Sequence, residues 1–259
     1  MNKFLFYLFI FLNFWSSLNI SDLTASDINQ NQIKMNINNQ QKSIPDQDTV
    51  PINRKAVEQI PPEAMTNKTI PEVIRPQAEK ALGFYPELKD VPITFKFKKN
   101  IKKSTMQAQP KFKGIFKNRH KRGYVILISE TFQIEDDSFN ILDVEDEVMI
   151  GWLGHELGHV MDYKNRSAVG MIIYGIRYLL SSSHIREVER SADTFAIEHG
   201  MGDYIIATKN FILNNSDISE IYKARIRRLY LSPEEIMEMV NELEDHEIHA
   251  EIEEETVVE

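Results

Sequence analysis

The stretch His155-Glu156-Leu157-Gly158-His159 carries the most information about the fold and chemistry of this chain. Two histidines four residues apart on a helix point in directions about 40° apart and lie one turn apart in height, so both rings can reach one metal ion. Glu156 then lies where it can take a proton from a water molecule activated by that ion. The pentapeptide therefore predicts a metal-binding helix.

The flanking residues predict that this helix spans residues 143–163 and is mostly buried. Asp143 and Asp146 are expected as its N-cap and N3 residues, and acidic side chains in the first turn favour a helix start. Three glycines lower its helix propensity and indicate that another backbone packs closely against it: Gly151, Gly154 and Gly158.

A catalytic metal ion held by two histidines needs a third protein ligand and keeps one coordination position for water. A metzincin site would need a histidine or aspartate at residue 165, which is Asn. A SprT-like site would need a further histidine soon after His159, but the next histidine in the chain is His184. Asp162 is a poor ligand, because on an unbroken helix its Cα is about 10.5 Å from that of His155. A carboxylate on another helix remains.

The candidate carboxylate lies in residues 187–193, within a helix predicted to span about 184–199. Glu189 and Asp193 are one turn apart on one face of this helix. Glu189 can bind the metal while Asp193 accepts a hydrogen bond from the outer nitrogen of a ligand histidine. Glu187 is the alternative ligand.

This pair of motifs resembles the gluzincin signature, HExxH followed by ExxxD with Ala192 before the aspartate. The likeness is closest to soluble relatives of the CAAX-prenyl-endopeptidase and heat-shock membrane-protease group, and covers about residues 70–205. It implies zinc bound by His155, His159 and Glu189, with Glu156 as general base. It also implies that Asp193 orients a histidine ligand.

The chain departs from the membrane members of that group between the two motifs. Those proteins insert transmembrane helices there, whereas this chain has only residues 168–180, interrupted by Arg177. Thirteen residues are too few to span a bilayer, which needs about 20. A minimal, soluble domain is expected.

The expected fold class is α+β, a zincin-like domain with a small, mostly antiparallel sheet packed on the active-site helix and a helical C-terminal part. Apolar spacing and turn residues predict strands at 91–98, 105–112 and 123–130, and helices at 70–84, 204–213, 219–229 and 232–243. Zincin sheets usually offer an edge that binds an extended peptide through its main chain. Either residues 105–110 or residues 123–129 could supply it, and the sequence equally allows both to be core strands.

The N-terminus predicts export from the cytoplasm. Lys3 precedes an apolar run at residues 4–15, typical of a signal peptide within residues 1–25. Retained as an uncleaved anchor, this segment would keep a periplasmic or secreted protein close to a membrane. The chain has no cysteine, which excludes disulfides and a lipid-modified cysteine anchor.

Composition divides the remainder of the chain. Residues 26–66 are rich in Asn and Gln and are expected to form a flexible linker or a pro-segment. The metallopeptidase domain is expected at residues 67–241. Residues 242–259 hold nine carboxylates and no Lys or Arg, so the net charge of −9 belongs to this segment, which is expected to be a disordered acidic tail. The basic segment 111–122 is expected to be a solvated loop, and no nucleic-acid partner is expected.

The predicted function is zinc-dependent hydrolysis of peptide bonds in a peptide or protein substrate. The oxyanion needs a donor besides zinc, for which His184 and Arg186 are favoured. Two alternatives remain: a zinc-stabilised binding or envelope protein without turnover, and a hydrolase acting on a cell-wall amide. Zinc is inferred from ligand type, since His₂Glu also binds other divalent ions.

Overall fold

The computed structural model describes residues 66–99, 101, 104–111, 114, 119–134, 137–215 and 218–257. The expected signal peptide and almost all of the expected linker lie outside these residues, as does half of the basic segment. The strands are β1 (Lys68–Thr69), β2 (Ile93–Lys98), β3 (Met106–Pro110), β4 (Tyr124–Ser129), β5 (Thr131–Ile134) and β6 (Asp137–Asn140). The helices are α1 (Arg75–Gly83), α2 (Asp146–Asn165), α3 (Ala168–Leu180), α4 (Ser182–Glu198), α5 (Gly202–Asn214), α6 (Glu220–Leu229) and α7 (Pro233–Val257).

The α+β class is confirmed, but the expectation of a mostly antiparallel sheet is wrong. The main sheet has the order β1-β2-β4-β3 and is mixed: β1–β2 and β2–β4 are parallel, and only β3–β4 is antiparallel. The continuous apolar run of β4 explains its central place, because a strand covered on both faces needs apolar residues throughout. Strand β3 lies at the edge of this sheet.

Helix α2 crosses the core and carries the HExxH motif. It begins at Asp146, and its N-cap is Glu145. The expectation of Asp143 as N-cap is wrong, because residues 141–143 form a separate 3₁₀ turn that the Asn140 side chain caps. A methyl group on Gly151 or Gly158 would run into a neighbouring backbone, which confirms the expected close packing at these two positions.

Each close contact of α2 joins it to a different helix. Gly151 lies against the backbone of Tyr204 on α5, and Gly158 lies against that of Ala192 on α4. On another side, the Tyr85 hydroxyl donates a hydrogen bond of 2.8 Å to the carbonyl of Gly154. Helix α2 is therefore held from several directions, which fixes the positions of its two histidines.

The C-terminal part is helical, and its last helix is longer than expected. Helix α7 starts with a Ser232 cap, whose hydroxyl accepts a hydrogen bond from Glu235 N, and continues to Val257. Residues 242–257 are thus helical rather than a disordered tail. Glutamate has good helix propensity, so an acidic segment that follows an established helix can extend it. No described helix has both the length and the apolar character needed to cross a membrane.

Candidate metal centre

Two helices bring three metal-binding side chains together. His155 and His159 on α2 and Glu189 on α4 are buried, and one ligand atom from each lies within 4.8 Å of the others. Glu189 Oε2 is 3.3 Å from His155 Nε2 and 3.4 Å from His159 Nε2. Ligands about 2.1 Å from an ion in a tetrahedral array are about 3.4 Å apart, so these separations fit a shared ion. The group could hold a metal ion.

Asp193 fixes the orientation of the first histidine. Its side chain is fully buried, and its Oδ1 lies 2.8 Å from His155 Nδ1. Because an ionised carboxylate only accepts hydrogen bonds, His155 donates from Nδ1 and its Nε2 is directed towards Glu189. Lys209 Nζ donates to both carboxylate oxygens of Asp193, at 3.1 and 2.9 Å, and the amide of Leu231 donates to Oδ2 at 3.1 Å.

The electrostatics of the cluster favour a positive charge between the carboxylates. Burial opposes protonation of His155, but the carboxylates of Asp193 and Glu189 outweigh it and raise the pKa of His155 to about 10. Against the effect of burial, hydrogen bonds from His155 and His159 hold the pKa of Glu189 well below its ordinary value. Against burial again, the charge of Lys209 lowers the pKa of Asp193. Both carboxylates therefore stay ionised inside the protein.

Glu156 lies beside this cluster and is tied to the edge strand. The side chain is buried, and its Oε2 accepts a hydrogen bond of 2.5 Å from the amide of Ala108 on β3. Burial raises the pKa of Glu156, although His159 and His155 oppose this shift. A carboxylate whose pKa is moved towards neutrality suits proton transfer near neutral pH.

Aromatic rings cover both histidines. The Tyr163 ring stacks on that of His159 with centroids 6.0 Å apart, and the Tyr230 ring lies 5.5 Å from that of His155. Lys209 Nζ lies 4.2 Å from the centroid of the Tyr230 ring. This apolar cover limits the access of water and strengthens the interactions inside the cluster.

A tyrosine and an arginine lie on the Glu189 side of the cluster. The Tyr178 hydroxyl donates a hydrogen bond of 2.9 Å to Glu189 Oε1, which leaves Oε2 facing the histidines. Arg225 on α6 is partly buried. Burial opposes its charge, but Tyr230, Tyr178 and Glu189 are among the groups that raise its pKa. A permanent cation therefore lies within electrostatic reach of Glu189.

The other residues singled out by the sequence lie outside the three-residue group. His184 is buried against the Tyr174 ring, with centroids 5.3 Å apart, and its Nδ1 is 3.1 Å from Glu187 Oε2. Glu187 is largely exposed in this pair. Arg186 is exposed and lines an open groove on the outer surface of α4, together with residues such as Arg190.

Sequence reasoning missed three residues of this region: Lys209, Arg225 and Tyr230. Lys209 could have been recognised from the sequence, because it shares an apolar helix face with Ile205 and Ile212. A lysine in such a position is rarely buried without a partner. Arg225 and Tyr230 reach the site through the packing of α6, which no local pattern reveals.

Comparisons of this chain with protein-family models, with curated proteins and with solved structures found no match.

Proposed function

We propose that this protein is a zinc-dependent metallopeptidase of the gluzincin type. The observation that carries the proposal is the buried His155, His159 and Glu189 group, with the carboxylate of Glu156 beside it. A His₂Glu set with one position left for water is a donor set of catalytic zinc sites, whereas structural zinc sites close all four positions with protein ligands.

The reaction uses Glu156 as general base. Zinc, when bound, polarises the scissile carbonyl and lowers the pKa of water. Glu156 takes the proton from the attacking water and delivers it to the amine that leaves. The hydrogen bond from Ala108 holds the carboxylate in place, while Asp193 keeps His155 in the tautomer that presents Nε2.

Strand β3 supports a peptide as the substrate. It pairs with β4 on one side, where Ser129 N donates to Thr105 O and Lys111 N donates to the carbonyl of Gly123, just before β4. The carbonyl groups of Ala108 and Pro110 alternate with these and point away from β4, whereas the amide of Ala108 on the same side already donates to Glu156. Because Ala108 reaches Glu156 from this edge, an extended peptide added to β3 would pass close to the general base.

The oxyanion donor is a separate part of the proposal. His184 and Arg186 were favoured by the sequence, and the fold adds Arg225, a cation whose charge interacts with Tyr230, Tyr178 and Glu189. An arginine in a water-poor site can stabilise the negative charge that develops on the carbonyl oxygen. Arg225→Met is expected to reduce kcat, whereas Arg186→Met at the exposed outer surface should leave it unchanged.

The decisive experiment compares the full chain with its Glu156→Gln variant, both loaded with zinc, on a mixed peptide library and on a cross-linked cell-wall preparation. Glutamine keeps the shape but accepts no proton, so cleavage should fall by about 10²–10⁴-fold, with zinc content unchanged. Equal and near-zero cleavage of both substrates by both proteins would instead support the non-catalytic binding protein. Cleavage of the cell-wall amide alone would support the amidohydrolase.

The third ligand is tested by metal content. Glu189→Gln should abolish stoichiometric zinc binding, and Glu187→Gln should not, because the Glu187 side chain is largely exposed and contacts His184 rather than the three-residue group. The reverse outcome would overturn the ligand set proposed above.

A further inference from the structure

Helix α3 (Ala168–Leu180) presents an apolar stripe to solvent. Val169, Ile173, Ile176 and Leu180 are 65, 52, 46 and 81% exposed, respectively. Their spacing of four, three and four residues places them along one side of the helix. A continuous exposed apolar patch, unlike single exposed residues, marks a surface that binds something.

The opposite side of α3 is already occupied. Met171, Tyr174 and Gly175 are buried against the domain, and the Tyr178 hydroxyl bonds to Glu189. These contacts fix the rotation of the helix, so the stripe cannot turn inward without breaking them. The exposed side is therefore a stable feature of the folded domain.

The stretch of chain that contains α3 carries basic residues and no acidic ones. Residues 163–186 contain no Asp or Glu in a chain with 39 acidic and 30 basic residues. The basic residues of this segment are Lys164, Arg166, Arg177 and Arg186. Arg166 is paired with Asp162 from α2, whereas Arg177 is exposed on α3 itself, next to Ile176. An apolar stripe flanked by cations complements an anionic lipid surface.

We propose that α3 lies flat on an anionic bilayer, with its stripe in the interface between headgroups and acyl chains. Thirteen helical residues extend about 20 Å, less than the hydrocarbon thickness of about 30 Å, so the helix lies along the surface. Retained in the full chain as an uncleaved anchor, the apolar run at residues 4–15 would supply a second membrane-binding element. Stable attachment generally takes two such elements.

The absence of cysteine from the chain makes a site-specific test possible. A single Ile176→Cys substitution in the full chain is labelled with an environment-sensitive fluorophore, and Ile221→Cys on α6 is the control, since Ile221 is 76% exposed. Vesicles of phosphatidylcholine are compared with vesicles that contain about 30 mol % phosphatidylglycerol, a negative surface of the kind that attracts basic segments. The label at 176 should shift to shorter wavelength and become roughly twofold or more brighter only with the anionic vesicles, as expected when a probe leaves water for the interface. The label at 221 should not respond.

Other occupants of the stripe give different results, and each would overturn the proposal. Anchoring by residues 4–15 alone would sediment the protein with vesicles and leave both labels unchanged. A second copy of the chain would shift the label at 176 without vesicles in a concentration-dependent way. Folding of residues 4–15 onto α3 would shift the emission of the label at 176 without vesicles, and this shift would not depend on protein concentration.

An unlabelled variant guards against effects of the fluorophore. Ile173→Asp/Ile176→Asp should lower partitioning into the anionic vesicles by roughly tenfold or more, because two isoleucines lose their apolar burial. The single variant Ile221→Asp should bind like the unmodified protein, and equal binding of both variants would contradict the role of α3. The proposal does not depend on peptide hydrolysis, since neither readout involves activity.

Discussion

Gly158→Ala tests whether the close packing of α2 and α4 sets the geometry of the metal centre. A methyl group on Gly158 would lie 3.1 Å from Ala192 Cα and closer still to its carbonyl oxygen. Carbon atoms pack at about 3.5–4.0 Å, so α4 must withdraw by roughly 0.5–1 Å. Ala192 lies between Glu189 and Asp193 along α4, so both side chains move away from the histidines with it.

The expected result is a loss of zinc affinity that is larger than the loss of stability. Metal–ligand distances tolerate only about 0.2 Å, and disturbing the residues that support ligands weakens binding about 10–100-fold. The free energy of unfolding should fall by no more than about 2 kcal/mol, because alanine gains about 1 kcal/mol of helix propensity against about 1–3 kcal/mol of overpacking. Competition with a chelator of known affinity measures the zinc affinity. Urea denaturation of the metal-free protein measures the free energy of unfolding.

Gly154→Ala is the matched control on the same helix. A methyl group there would meet the end of the Met201 side chain, with the sulfur 2.6 Å away. A flexible methionine can move where a backbone cannot, and α4 need not shift. Zinc affinity should therefore be retained in this variant. Unchanged affinity in Gly158→Ala, or an equal loss in both variants, would refute the argument.

Three further predictions concern the charges and hydrogen bonds of the cluster. Lys209→Met removes the ammonium group that pairs with the buried Asp193 and should lower the free energy of unfolding by about 1–3 kcal/mol, since His155 and the Leu231 amide still contact that carboxylate; unchanged stability in urea denaturation would show that the pair contributes little. Tyr178→Phe removes the hydrogen bond to Glu189 and should weaken zinc binding by about 1–2 kcal/mol in the chelator assay, whereas unchanged affinity would show that Glu189 is oriented without it. In the metal-free protein, the raised pKa of His155, about 10 in the folded state against about 6.5 unfolded, stabilises the fold fully below pH 6.5, and this contribution is lost as the pH rises towards 10. The urea midpoint should fall over that range, and the same slope in His155→Gln would contradict the assignment.

The positions of the strands could be read from the sequence, but their pairing could not. Alternating apolar residues located β2, and a continuous apolar run located β4. Neither pattern predicts whether the neighbouring strand runs parallel or antiparallel. Direction depends on how the chain returns to the sheet, so the parallel pairing of β2 with β4 emerged only from the fold. The same topology leaves β3, and not β4, at the edge, which decides between the two strands that sequence had left open.

Some helix boundaries could also be predicted from the sequence, and others could not. The end of α6 at Leu229 agrees with its sequence pattern, because apolar period and capping residues are local properties. The start of α2 was misplaced, since Asp143 and Glu145 are both plausible near a helix start and only the preceding 3₁₀ turn separates them. The extension of α7 through acidic residues was missed because composition alone does not distinguish a charged helix from a charged tail.

The order of residues along each helix is enough to identify the side chains that can face one point. His155 with His159, and Glu189 with Asp193, are each separated by one helical turn, and this geometry holds wherever the helix is placed. Helix packing is what brings the two pairs together, with Glu189 Oε2 near both histidines and Asp193 bonded to Nδ1 of His155. It also brought in Lys209 and the Leu231 amide from elsewhere in the chain. Helix geometry repeats every few residues and is therefore local, whereas the close approach of α4 to α2 at Gly158 joins residues that are far apart in sequence.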